Sequence, residues 1–140
     1  MAALRSVWAL VCVCLLIGLS GCGGKPADGS SELRGKLLLQ GKPIEVAGRQ
    51  VGIGRVILRF IPVDAGVEPV QTDVAADGTF LINAGIGNGQ GGIKPGKYKI
   101  SVVADESGKD KLQGAYTPEK TTIVKDILAD GQELVIELKP

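Results

Sequence analysis

From Leu33 onward the chain alternates apolar and polar residues with a period of two, the spacing that sends every second side chain of a strand to one face. Leu33, Gly35, Leu37 and Leu39 point one way and Arg34 and Lys36 the other, with Leu38 interrupting the polar side. Val56, Leu58 and Phe60 alternate with Arg55, Ile57 and Arg59 before Pro62 closes the run. Phe80 and Ile82 share a face. Tyr98, Ile100, Val102 and Ala104 alternate with Lys97, Lys99, Ser101 and Val103. Leu134, Ile136 and Leu138 alternate with Glu133, Val135, Glu137 and Lys139. Weaker strands are predicted from Val67 to Val74 and from Thr121 to Ile127. No window of ten or more residues carries a clean helical stripe.

Turn residues separate these runs. Gln40-Gly41-Lys42-Pro43 ends the first strand, Asp77-Gly78 marks a hairpin, and Pro95-Gly96 and Asp130-Gly131 each precede a strand. About seven short strands in this length predict an all-β fold: an antiparallel β-sandwich of two facing sheets, Greek-key in its connections. A domain of this size buries about 65% of its unfolded surface, enough for one core. Glu45 to Gly54, with three glycines, reads either as a long loop or as an extra edge strand through Val46 to Ile53.

The first residues have a different pattern. Arg5 is the only charged side chain before an uncharged apolar run from Val7 to Leu19. Thirteen residues fall short of the about 20 that span a membrane and fit the apolar region of a secretory signal. The run exits through Leu19-Ser20-Gly21-Cys22, which resembles the bacterial lipobox. The resemblance implies cleavage between Gly21 and Cys22 and a diacylglyceryl group on the Cys22 thiol. Gly23 to Ser31 follows as a polar, glycine-flanked tether. The expected division is a signal peptide over 1–21, lipidated Cys22 and tether over 22–32, and a β-sandwich domain over 33–140. The protein is then exported and anchored to a bacterial cell membrane by its lipid, with the choice of inner or outer membrane open.

Gly35-x-Leu37 with Gly41-Lys42-Pro43-Ile44, then Asp77-Gly78-x-Phe80, then Pro95-Gly96-Lys97-Tyr98 resemble the hairpin signatures of carboxypeptidase regulatory-like domains. That resemblance spans about residues 33 to 139 and implies a transthyretin-like sandwich. A lipobox joined to one such domain is similar to small lipoproteins of planctomycete-type bacteria. In carboxypeptidases the domain is an appendage to a separate zinc catalytic domain, for which this chain has no segment. Transthyretin-like hydrolases of purine breakdown rely on His, and this sequence contains none.

Composition narrows the chemistry further. Sixteen Lys and Arg balance 15 Asp and Glu, which argues against nucleic acid as a partner. The absence of His removes Ser-His-Asp and Cys-His nucleophile systems and every His-containing metal site. Of the 3 cysteines, Cys12 and Cys14 leave with the leader and Cys22 carries lipid, so the mature domain folds without disulfides. Gly87-x-Gly89-x-x-Gly92 matches a dinucleotide fingerprint literally, yet a strand follows it where the fingerprint needs a helix N-terminus. Asp105, Glu106 and Asp110, like Asp73 and Asp77, lack the spacing of a calcium loop and read as solvated loop charges, with weak calcium binding as the alternative. Lys36 and Asn83 are conceivable isopeptide partners, although Lys36 falls on the polar face.

No catalytic, cofactor or metal residues are therefore expected. The expected function is a non-catalytic, membrane-anchored envelope lipoprotein whose sandwich is a structural or protein-interaction module. The alternative is a carbohydrate- or peptide-binding module using the Gly85 to Gly92 loop, with Tyr98 and Tyr116 as the only tyrosines to serve it.

Overall fold

A computed structural model of the chain describes residues 29–47, 54–83, 91–128 and 131–139. These residues form an all-β fold of eight strands: β1 (Leu33–Leu39), β2 (Val56–Pro62), β3 (Val70–Val74), β4 (Thr79–Ile82), β5 (Gly96–Glu106), β6 (Lys109–Asp110), β7 (Val124–Ile127) and β8 (Glu133–Leu138). They hydrogen-bond in the order β6-β5-β2-β3-β4-β1-β8, and β7 pairs with β5 beside β6. The sheet is continuous but curled. At its middle, β3 and β4 share a single registered pair, Val74 with Phe80. Beyond that joint, β4-β1-β8 folds over to face β3-β2-β5-β7, the sandwich-like arrangement that the alternation predicts.

The inward faces are those read from the sequence. Leu33 and Leu37, Val56, Leu58 and Phe60, Phe80 and Ile82, Tyr98 to Ala104 at every second position, and Leu134, Ile136 and Leu138 are all buried in one cluster. The Phe60 ring lies 5.9 Å from Phe80 and 6.3 Å from Tyr98. Phe60 and Phe80 sit on strands that do not adjoin, so their contact crosses the interior and joins the two halves.

Two details differ from the sequence expectation. The sheet is mixed: β1 and β8 run parallel through six registered pairs from Arg34–Glu133 to Leu39–Leu138, while every other pairing is antiparallel. Period-two alternation is identical for both directions, so it carries no information about them. The eighth strand is β6, two residues long, made by a hairpin whose Ser107 and Gly108 both have positive φ (54° and 80°). That pair of angles belongs to a two-residue turn matched to strand twist. The weaker predicted strands are shorter than expected, beginning at Val70 and Val124.

β1 fits between its neighbours because position 35 has no side chain. A Cβ there would lie 2.1 Å from the Leu134 carbonyl oxygen and 2.5 Å from the Phe80 ring. Gly35 thus gives the Phe80 ring its place in the core. At the start of β1, Ser30 is buried, and Ser31 exchanges two backbone hydrogen bonds with Ile93 (2.9 and 3.0 Å). The segment expected as tether over 22–32 is therefore docked from Ser30 onward.

Candidate functional site

Gly21 and Cys22, the expected cleavage and lipidation residues, lie outside the described residues. So do residues 84–90, most of the glycine-rich run, and residues 48–53 of the Glu45 to Gly54 insertion. The ends of both segments are described. Gly92 leads into Ile93, fully buried and bridged to Ser31, and then directly into β5. No helix follows Gly92, so the helix N-terminus on which a dinucleotide site relies is not found at this point of the chain. Ile44 and Val46 are buried in irregular chain. That chain is pinned to the β5–β6 hairpin by the Ala47 amide donating to Glu106 (3.0 Å) and by Lys111 Nζ donating to the Glu45 carbonyl.

The acidic residues around β6 serve this local structure. The Asp110 carboxylate accepts three backbone amides: Ala104 (3.0 Å) and Leu112 (3.0 Å) on Oδ1, and Gly114 (2.8 Å) on Oδ2. Asp105 Oδ1 accepts the Gly108 amide at 3.0 Å and so closes the hairpin turn. Among the described residues, no three acidic or thiol side chains gather around a common point where a metal could sit.

Asp110 has a wider role along β5. On one side β5 pairs with β2 over seven residues, Val56 to Pro62. On the other side β7 covers Gly96 to Lys99 and β6 covers Asp105 and Glu106, leaving Ile100 to Ala104 without a strand. Irregular chain and side chains close this gap. The Ile100 amide donates to Ile123 (2.9 Å), Val102 to Tyr116 (3.0 Å) and Ala104 to Asp110. The Ala104 carbonyl accepts the Lys111 amide (2.7 Å), and the Ile100 carbonyl accepts the buried Thr121 hydroxyl (2.5 Å). The segment from Lys111 to Ile123 thus replaces a strand. The signal in the sequence is slight: a lone Asp followed by small and polar residues, which is turn chemistry of the Asx kind.

The remaining candidates also resolve into structure. Asp73 on β3 receives Arg55 on both carboxylate oxygens (2.7 and 2.5 Å), an exposed pair that contributes little once screened. Asp77 accepts the Thr79 hydroxyl (2.6 Å) and amide (3.0 Å), which hold its carboxyl below the usual carboxylate range. Tyr98 is 1% exposed, and its hydroxyl donates to the Lys94 carbonyl at 2.9 Å. Burial raises that hydroxyl above its ordinary value. The Tyr116 hydroxyl donates to the Lys139 carbonyl (2.5 Å) and accepts the Lys139 amide (2.9 Å), tying the chain after β8 to the strand-replacing segment. The Tyr98 ring is closed off as a sugar platform, and the Tyr116 ring is half-buried against the core. Lys36 stands opposite Thr79, while Ile82 stands opposite Leu33. Asn83 is therefore about four residues, or roughly 13 Å, along the ladder from Lys36, too far for an isopeptide bond.

Among the described residues, no buried side-chain nitrogen or oxygen lacks a hydrogen-bond partner. The chain matches no protein-family model and no curated protein sequence.

Proposed function

We propose that this protein is a non-catalytic envelope lipoprotein, anchored through Cys22, whose β-domain is an interaction or structural module. The observation that carries the reading is the order of parts: an uncharged apolar run, Leu19-Ser20-Gly21-Cys22, a short polar tether and then one all-β domain. Asp110 engages both of its carboxylate oxygens with backbone amides, which supports a structural and not a catalytic role for that residue, because a general acid or base needs an oxygen open to substrate. Two acyl chains give stable membrane attachment without help from protein charge, since each buried methylene contributes about 0.8 kcal/mol. The near-zero charge balance is compatible with that form of attachment.

The test is expression of the full chain in a bacterial host, followed by fractionation and intact-mass measurement. The expected product begins at Cys22, carries diacylglycerol and sediments with membranes. A Cys22→Ser protein that remains membrane-bound would sink the proposal. Crosslinking of intact cells then identifies the partner of the module.

A further inference from the structure

The two halves of the sheet present different outer faces. On β4-β1-β8, outward side chains fall in short rows across the strands: Leu81, Arg34 and Glu133; then Thr79, Lys36 and Val135; then Leu38 and Glu137. Charges of both signs separate the apolar residues. On β3-β2-β5-β7 the rows are Asp73, Ile57 and Val103; Gln71, Arg59 and the buried Ser101; Ile61, Lys99 and Val124; and Val63 beside Lys97 and Asp126. Branched aliphatic residues occupy most rows here. At the end of this face nearer β7, Arg59, Lys97 and Lys99 share the surface with one acid, Asp126, which lies 3.8 Å from Lys97, while Asp73 and Asp105 lie toward the other end beside Arg55. Val63 and Val124 are 57% and 48% exposed, so nothing among the described residues covers them.

Polar residues are the usual choice for the solvent side of a strand, and a face of this composition marks a surface that meets something apolar and negatively charged. The position of the N-terminal chain indicates what that is. Ser31 pairs with Ile93, three residues before β5 begins, and Gly96 at that start is level with Ile127 at the end of β7. The chain leading back to Cys22 therefore enters at the end of the fold that carries Val63, Lys97 and Leu128, the last being 63% exposed. Cys22 and Ser30 are eight residues apart in sequence, a reach of at most about 30 Å. A tether of that length makes docking intramolecular, with an effective concentration of order millimolar, so a face of modest affinity is occupied.

We propose that the β2-β5-β7 outer face lies on the anionic bilayer to which the protein is anchored. Val63 and Val124 enter the headgroup region, about 5–10 Å deep at most, and Arg59 and Lys99 meet lipid phosphates. This inference rests on the anchoring through Cys22 proposed above.

The test uses the full-length, lipid-bearing protein in vesicles of phosphatidylcholine with and without phosphatidylglycerol. Trp8 is the only tryptophan and precedes Cys22, so single tryptophans introduced by Val63→Trp, Val124→Trp or Val135→Trp report alone in the processed chain. All three positions are exposed, and circular dichroism checks that each variant folds. With phosphatidylglycerol present, the Val63→Trp and Val124→Trp proteins are expected to show a blue-shifted emission that brominated lipid quenches. The Val135→Trp protein shows neither effect. Adding Arg59→Glu and Lys99→Glu to the Val124→Trp protein is expected to abolish the shift. Equal signals from the two faces, or none while the acylated protein floats with the vesicles, overturn the inference and leave the anchoring intact. Self-association that buries the same face, in place of lipid contact, also overturns it. A chain unacylated at Cys22 that fails to float overturns both.

Discussion

β1 and β5 are the central strands of the two halves, and they are held by opposite means. β1 lies between β8, paired with it from Arg34 to Leu39, and β4, paired from Leu33 to Lys36 with the Leu37 amide continuing to the Gly78 carbonyl, and its fit depends on an absent side chain at Gly35. β5 has one full neighbour, β2, and an incomplete second edge that irregular chain and side chains close. Closeness locks the first strand, and polar partners substitute for a missing strand at the second. The two devices differ in tolerance. A steric fit against backbone has no way to relax, whereas a hydrogen bond to an edge amide can be replaced in part by water.

The sharpest way to break this contrast is Gly35→Ala. The new methyl meets the Leu134 carbonyl, which cannot rotate away, as well as the Phe80 ring. The expected loss is about 3 kcal/mol or more, read as a drop in urea midpoint, or failure to fold. Gly35→Ala combined with Phe80→Leu removes the ring clash alone. If that pair regained full stability, the backbone contact would not be what holds β1.

Next in size is Asp110→Ala, which removes the acceptor of three amides on the β5 side. Because the site is half-buried and water can enter, the expected cost is about 2 kcal/mol. Asp110→Asn keeps one acceptor oxygen and should cost less. Hydrogen exchange is expected to quicken at Ala104, Leu112 and Gly114 while β1 stays protected. Uniform loss of protection would mean that the two halves do not open separately.

Tyr116→Phe comes third. It removes both hydrogen bonds to Lys139, for an expected loss of about 1 kcal/mol, with faster exchange at Lys139 and the end of β8.

The smallest effects come from pH, and they strike different parts. Asp77 has a lowered pKa in the fold, held down by the Thr79 hydroxyl and amide. Its stabilisation is present above the unfolded carboxylate value and is lost as pH falls through the folded one, on the acid side of about pH 4. Asp77→Asn should flatten the acid limb of a stability–pH curve. Tyr98 has a raised pKa because burial disfavours its anion. Its contribution is complete below about pH 10, the unfolded value, and is lost as pH rises through the folded value. Tyr98→Phe should remove that alkaline loss from the β5 half.

Apart from the two-residue β6 and the starts of β3 and β7, the strands and their inward side chains were legible in the order of residues. Leu33, Phe60, Ile100 and Ile136 are buried where the alternation places them. Alternation is a local property of a pleated chain, so no partner is needed to read it. Asp77-Gly78 and Gln40-Gly41 were legible as turns for the same reason: positive φ is a local demand. The tertiary structure alone decided the parallel pairing of β1 with β8, because strand direction leaves no trace in a period of two. It also decided that Asp110 closes the edge of β5, since an exposed carboxylate and one aimed at three amides look alike in sequence. The aliphatic outer face emerged only once register placed Val63, Ile61 and Val124 beside Lys97 and Lys99. Each of these features depends on which strand lies alongside which, a relation that contacts between distant residues create and no local pattern records.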